Sequence, residues 1–254
     1  MVLSIDIGAT NIRIAEVKDH KVTNKIKTKT PRTKNEIIKC LIELVNKYDD
    51  KKVICIGIAG FVKNAKIYGT PNMDLNGVNI KKILEKRFNS KVYLDNDANC
   101  AGLGELYYGH GKNKKNFVLL TLGTGIGGAV IINRNLYRGT GFAGEPGHMI
   151  IPEGIFEKIS SGKKYQDLIK KYPNKKNKII DKISKNLAVG ILNISYILDP
   201  EIIILGGGFS ELKDLIEKVR KKFHEMDIIK RKIPVVHAKL GDNAGLIGAA
   251  LLKR

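Results

Sequence analysis

Tyr93-Leu94-Asp95-Asn96-Asp97-Ala98-Asn99-Cys100-Ala101-Gly102-Leu103-Gly104-Glu105 decides how the rest of the chain is read. A short apolar strand, Val92-Tyr93-Leu94, runs into three polar residues, and Ala98 opens a pattern that reads as a helix. Carboxylates at the carboxyl end of a buried strand, beside a helix N-terminus, mark the edge where α/β proteins place ligand chemistry. Taken alone, Asp97 serves equally well as a simple helix cap. Two glycine-rich turns and a Gly-Glu-x-Gly-His segment elsewhere in the chain favour the functional reading.

Upstream of this stretch, Val2–Ile7, Ile12–Val17 and Val22–Thr30 alternate apolar and polar residues. They are separated by Gly8-Ala9-Thr10-Asn11 and Lys18-Asp19-His20-Lys21, which predicts a three-stranded meander. Thr33-x-x-Glu36 is a capping box ahead of apolar residues at helical spacing. Val53–Ala59 is almost wholly apolar, as a strand covered on both faces must be. Ile80–Phe88 reads as a short amphipathic helix. Downstream, the order repeats. Phe117–Leu122, Ala129–Ile132 and Leu136-Tyr137 are strands, Ile179–Leu198 is a long helix, and Glu201–Leu205 is an apolar strand. Ser210–Phe223 is a helix, 233–236 a strand, and a last helix starts at Ala244. Both halves follow βββαβαβα, which predicts two copies of one α/β unit related by a pseudo-twofold, their hairpins facing across a cleft. Residues 1–115 would form a smaller amino-terminal domain and 116–243 a larger one, with 244–254 packing back on the first.

Composition narrows the class. The chain has 254 residues, 43% of them hydrophobic and 28% charged, which suits a globular protein with a sizeable core. No apolar run is long enough for a bilayer, and residues 1–8 already read as strand and turn, so neither a signal sequence nor a membrane partner is expected. Cys40, Cys55 and Cys100 are scattered in apolar patterns and form no CxxC pair, consistent with reduced core thiols in a cytoplasmic protein. The net charge of +20 is spread along the chain with no aromatic interleaving and no Trp, so nucleic acid is not the expected partner. Such a lysine-rich surface attracts anionic phosphates.

The turns supply the chemistry. Gly8-Ala9-Thr10-Asn11 follows Asp6; its amides and Thr10 hydroxyl suit a phosphate, and Asp6 suits a hydrated Mg²⁺, although a plain hairpin has the same residues. Gly123-Thr124-Gly125-Ile126-Gly127-Gly128 spells G-x-G-x-x-G, yet a strand-like Ala129–Ile132 follows where a dinucleotide fold needs a helix. What survives is a hairpin that admits a phosphate close to its backbone. Gly206-Gly207-Gly208 leaves room for a flat group such as a purine or ribose, or for a tight strand–helix crossing. In Gly141–His148, GFAGEPGH, glycines leave Glu145 and His148 as the polar side chains that would line a polyol pocket.

Asp6–Asn11, Asn96–Asn99, Gly123–Gly128 and Gly144–His148, in this order, closely resemble the ROK family of repressors and sugar kinases, within the actin-like, hexokinase-like superfamily. The match is collinear over essentially the whole chain. The resemblance implies two ribonuclease-H-like domains around a central cleft, ATP with Mg²⁺ as cofactors, and phosphoryl transfer to a hexose hydroxyl. By position it implies Asp97 as catalytic base, with Asn96, Glu145 and His148 as sugar contacts and Asn72 in the loop at the small-domain edge of the sugar pocket. Asp6 falls near the metal. Gly8, Ala9, Thr10, Asn11, Gly123, Thr124, Gly125 and Gly127 fall near the phosphates, and Gly206, Gly207 and Gly208 near the adenosine. Many members carry three cysteines after the Gly-His; here Met149–Glu157 has none, so no zinc site is expected. Glu157 aligns with the end of that motif as a third sugar-binding carboxylate. Regulators of the family carry a DNA-binding segment before the first strand, whereas this strand begins at Val2, which favours an enzyme. The expected substrate is glucose, then N-acetylmannosamine, N-acetylglucosamine or fructose; a non-catalytic sugar sensor is the reading from a different class. A homodimer through the carboxy-terminal half is expected from the same resemblance.

Overall fold

The computed structural model describes all 254 residues, which divide into two compact units. Unit 1 comprises Met1–Tyr108, Gly139–Phe142 and Asn243–Arg254; unit 2 comprises Gly109–Arg138 and Ala143–Asp242. No helix is long and apolar enough to cross a membrane.

Unit 1 is built on β1 (Val2–Ile7), β2 (Asn11–Lys18), β3 (Lys21–Lys29), α1 (Lys34–Asn46), β4 (Val53–Ile58), β5 (Phe61–Lys63), β6 (Lys66–Tyr68), α2 (Ile80–Phe88), β7 (Lys91–Asn96) and α3 (Asp97–Tyr108). Its sheet has the order β3-β2-β1-β4-β7, antiparallel through the meander and parallel from β1 to β7. Alternation along a strand sends successive side chains to opposite faces. Leu3, Ile5 and Ile7 join Ile54, Ile56 and Ile58 in the core formed with α1 and α2. Val2 and Cys55 face the other way, in the cluster shared with Cys100, Ala249 and Ala250. Ser4 Oγ donates to Leu246 O at 2.6 Å on that side. The Thr33 capping box forms as expected, with Glu36 N donating to Thr33 Oγ1 at 3.4 Å and Thr33 N to Glu36 Oε2 at 3.3 Å.

Unit 2 repeats the plan with β8 (Phe117–Leu122), β9 (Ile126–Ile132), β10 (Asn135–Tyr137), the pair β11 (Ile150–Ile151) and β12 (Gly154–Ile155), α4 (Phe156–Ser160), α5 (Gly162–Lys171), α6 (Lys176–Leu198), β13 (Ile202–Gly206), α7 (Leu215–Met226) and β14 (Val235–His237). Its sheet order, β10-β9-β8-β13-β14, is that of unit 1. Helix α8 (Ala244–Ala249) completes the chain and packs on α3 in unit 1. Two five-stranded sheets of the same order, each flanked by helices, give the expected α/β class and the actin-like, hexokinase-like fold.

Several sequence expectations need correction. Gly127 and Gly128 belong to β9, leaving Gly123–Gly125 as the turn, because Gly127 and Gly128 pair in register with Thr121 and Leu120. The helix expected from Ser210 starts at Leu215; Gly208–Glu211 is a short 3₁₀ turn. Between β4 and α2 the chain also forms the β5–β6 hairpin, and the basic stretch after Ser161 contains α5, whose Leu168 and Ile169 pack on the unit 2 core.

Helix α8 approaches α3 so closely that a Cβ at Gly248 would lie 1.5 Å from Cys100 O. Gly248→Ala therefore forces α8 off the helix that begins with Asp97. It is expected to destabilise the protein by about 2–3 kcal/mol, the cost of overpacking a filled site. Chemical denaturation checks this; a stability equal to wild type would show that the helices separate at no cost.

Candidate active site

One cluster of the residues singled out in the sequence lies at the carboxyl ends of β1, β4 and β7 in unit 1. Asp6, Gly57 and Asp95 stand in one row across these parallel strands. They point to the α3–α8 side, because Leu3, Ile5 and Ile7 occupy the other face of β1. Asp6 is buried, and its Oδ2 is 3.3 Å from Arg13 Nε, its cross-strand neighbour on β2. Gly245 lets α8 sit directly against that carboxylate: a Cβ there would be 3.0 Å from Asp6 Oδ2. Gly57 does the same for α3, since a Cβ would meet Cys100 Sγ at 3.1 Å and Asp97 Cα at 3.5 Å. Arg13, Gly57 and Gly245 went unnoticed in the sequence because their partners are remote in the chain.

The junction between β7 and α3 is held by side chains. Asp95 Oδ1 accepts from Asn96 N at 2.7 Å and from Asn99 Nδ2 at 2.9 Å. Asn96 Oδ1 accepts from Asn99 N at 3.0 Å, so the cap of α3 is Asn96. Its Nδ2 donates to Gly60 O at 3.0 Å. Gly60, with φ at +134°, abuts Thr70, and Thr70 Oγ1 closes the Asn72 loop by donating to Met73 O at 2.7 Å. Asn96, Gly60 and the loop of Asn72 are thereby brought together; Asn72 itself is exposed, with φ at +60°.

Relieved of capping, Asp97 keeps a different character. Oδ1 accepts from Ala98 N at 2.9 Å. Burial pushes its carboxyl pKa up to about 7, and the negative charge of Asp6 adds to the shift; backbone amides and Arg13 oppose it. A carboxylate that takes up a proton near neutrality is suited to general-base work.

The Gly8–Asn11 turn sits at the end of β1. Gly8 N donates to Asn11 O at 3.0 Å, and Thr30 straps the turn, its N donating to Thr10 O at 3.0 Å and its Oγ1 to Gly8 O at 2.7 Å. Thr10 stays exposed.

Unit 2 holds the second glycine-rich turn. Gly123 N donates to Gly125 O, and Gly162 N, at the start of α5, donates to Gly123 O at 2.8 Å. Glu157 reaches the same turn, its Oε2 accepting from Ile126 N at 3.4 Å. It is placed there by Phe156, fully buried against Gly190 of α6, where any Cβ would fall 2.4 Å from the ring. Gly147 packs against Ile126 and Glu157, and Gly144 packs against Gly128. Glu145 lies between these two close approaches, partly buried, while His148 ends a 3₁₀ turn and is exposed. Glu145, Glu157 and the Gly123–Gly125 turn are thus neighbours within one unit.

Gly206–Gly208 leaves the carboxyl end of β13. Gly207 has φ at +85° and lies over Leu122, whose carbonyl would be 2.5 Å from a Cβ. Ser210 Oγ donates to Gly207 O at 2.6 Å and is 3.0 Å from His237 Nε2 on β14. The sequence carried no sign of that pair. Asp6 is a buried carboxylate beside a turn, and no group of three metal-ligating side chains occurs in the chain. This donor set fits a Mg²⁺ held chiefly by water and nucleotide phosphates with one protein carboxylate, and fits no closed protein cage.

Residues 2–254 match the ROK family model. The chain belongs to the ROK family. Among its relatives, a glucokinase of Streptomyces coelicolor is 28% identical, over 100% of this chain and 98% of that protein. The xylose repressor of Bacillus spizizenii is 31% identical, over 77% of this chain and 59% of the repressor. A ROK family glucokinase from Streptomyces griseus, solved in complex with glucose and AMPPNP, superposes with a TM-score of 0.90 at 26% identity, covering 99% of this chain and 98% of that one. Relatives of this chain therefore include both glucokinases and a xylose repressor.

The raised Asp97 pKa has a consequence for stability. A carboxyl that binds its proton more tightly when folded stabilises the fold fully below its unfolded pKa of about 4, and that contribution fades as pH rises through about 7. Asp97→Asn removes the term. The stability of the variant relative to wild type should therefore rise between pH 4 and pH 8, by at most about 4 kcal/mol. Urea denaturation of both proteins at pH 5 and pH 8 measures it; a difference independent of pH would mean that Asp97 is an ordinary carboxylate.

Proposed function

We propose that this ROK protein transfers the terminal phosphoryl group of ATP to a hexose hydroxyl, foremost the 6-hydroxyl of glucose. The observation that carries this is the Asp97 carboxyl, pushed up to about 7 at the head of α3. Phosphoryl transfer asks a protein for positioning and charge compensation, with little covalent chemistry. Asp97 accepts the proton of the attacking hydroxyl, a role worth roughly 10²–10⁴-fold. Asn96, Asn72, Glu145, His148 and Glu157 orient the sugar. The turns of Gly8, Ala9, Thr10 and Asn11, and of Gly123, Thr124, Gly125 and Gly127, receive the phosphates, and Gly206, Gly207 and Gly208 the adenosine. Mg²⁺, when bound, would neutralise phosphate charge, and Asp6 would be the residue that holds it, through water. The two proposed domains are residues 1–115, with 244–254 packing back on them, and residues 116–243. The working form would be a cytoplasmic homodimer, without nucleic acid or membrane as partner.

Two further readings have specific support. An amino-sugar or fructose kinase would use the same catalytic groups with a different sugar contact set, since Glu157 also serves the Gly123 turn. A sugar-responsive, non-catalytic protein has support in the resemblance to a xylose repressor. Retention of Asp97 together with both phosphate turns favours the enzyme.

An ADP-release assay over glucose, N-acetylmannosamine, N-acetylglucosamine and fructose, with and without Mg²⁺, tests the proposal. Glucose with ATP is expected to give the highest kcat/KM. Asp97→Asn should lower kcat at least 10²-fold with sugar and nucleotide binding retained. Unimpaired turnover in that variant, or no turnover on any sugar by wild type, overturns it.

A further inference from the structure

We infer that Glu211 recognises the ribose of the phosphoryl donor and makes the protein select a nucleoside triphosphate over a bare polyphosphate chain. This rests on the phosphoryl-transfer reading above.

Glu211 closes the 3₁₀ turn Gly208–Glu211, directly after the glycines that leave β13. Strands β13 and β14 are parallel, with Leu205 opposite His237, so the glycines and the imidazole emerge at the same end of the sheet. Gly207 and Gly208 are exposed, and a Cβ on Gly208 would meet no atom within 4 Å, so a ligand can lie flat there. One edge of this platform is a fixed hydrogen-bonded group. Ser210 is buried, and its single hydroxyl hydrogen is used on Gly207 O at 2.6 Å. The 3.0 Å contact from Ser210 Oγ to His237 Nε2 is then made by an imidazole N–H donating to the serine oxygen. Glu211 Oε1 lies 3.2 Å from the same Nε2. The carboxylate is held at one oxygen while its side chain remains 64% exposed.

A fixed, exposed carboxylate accepts hydrogen bonds and offers none. A vicinal diol provides donors for it; a polyphosphate has none and is repelled. The rest of the surface does not make this distinction, because a net charge of +20 draws in any polyanion. Discrimination between the two donor classes therefore needs an acceptor at the nucleoside end, and Glu211 is an acceptor tied to the glycine platform. His237 and Ser210 act through it as positioning residues.

The test compares wild type, Glu211→Ala and His237→Gln with ATP, 2′,3′-dideoxy-ATP and tripolyphosphate as donors, at saturating sugar. In Glu211→Ala the KM for ATP should rise about tenfold, the effect of losing hydrogen bonds to a charged acceptor. The kcat, the KM for sugar and the Tm should stay unchanged. The preference for ATP over its dideoxy analogue should fall toward one, and use of tripolyphosphate should hold or improve. His237→Gln, which keeps a donor toward Ser210 and Glu211, should fall between the two. Equilibrium dialysis of ATP separates the two levels of the claim. If wild type binds ATP but Glu211→Ala keeps the full preference over the dideoxy analogue, this inference fails alone. A wild type that binds no nucleotide overturns the donor assignment and the inference together.

Discussion

Two carboxylates confined on one face of a small sheet set the terms for unit 1. Asp6 is buried at the end of the central strand, and Asp97 stands close enough for its charge to matter. Like charges in a desolvated setting cannot both ionise freely. The guanidinium of Arg13 lies 3.3 Å from Asp6, while burial and the charge of Asp6 raise the pKa of Asp97.

This arrangement persists only because backbone replaces side chains around it. Gly57 admits the start of α3, Gly245 admits α8 onto Asp6, and Gly248 lets the two helices touch. In unit 2 the same device recurs, with Gly147 and Gly144 packed against β9 and Gly190 accepting the ring of Phe156. Glycine costs conformational entropy on folding. Here it permits strand ends and helix starts to approach to backbone distance, which keeps polar side chains such as Asp97, Glu145 and Glu157 near the turns. Function in this family member rests on packing density as much as on the polar groups themselves.

Much of this was legible in the sequence, and the omissions have physical causes. Alternation and apolar runs marked the main strands, and the repeated order predicted two sheets of one topology. Asp97 stood out because it follows a buried strand. The capping role left open for it belongs to Asn96, since no periodicity distinguishes one polar residue of a run from the next. The lysines after Ser161 masked α5, whose apolar stripe is only Tyr165, Leu168 and Ile169 wide. Glycines at 127 and 128 looked like turn because strand pairing outweighs their intrinsic preference only in the folded sheet. Ser210 and His237 are separated by 27 residues, a contact that a parallel strand pair creates and no local pattern announces.

The central claim, that Asp97 is held as a base near neutrality, is accessible to direct titration. Carbon-13 NMR of aspartate-labelled protein, with Asp97→Asn to assign the resonance, follows this carboxyl alone. The expected midpoint is about 7, displaced upward by burial and by Asp6. A midpoint near 4, the value of a free aspartate, would contradict the claim.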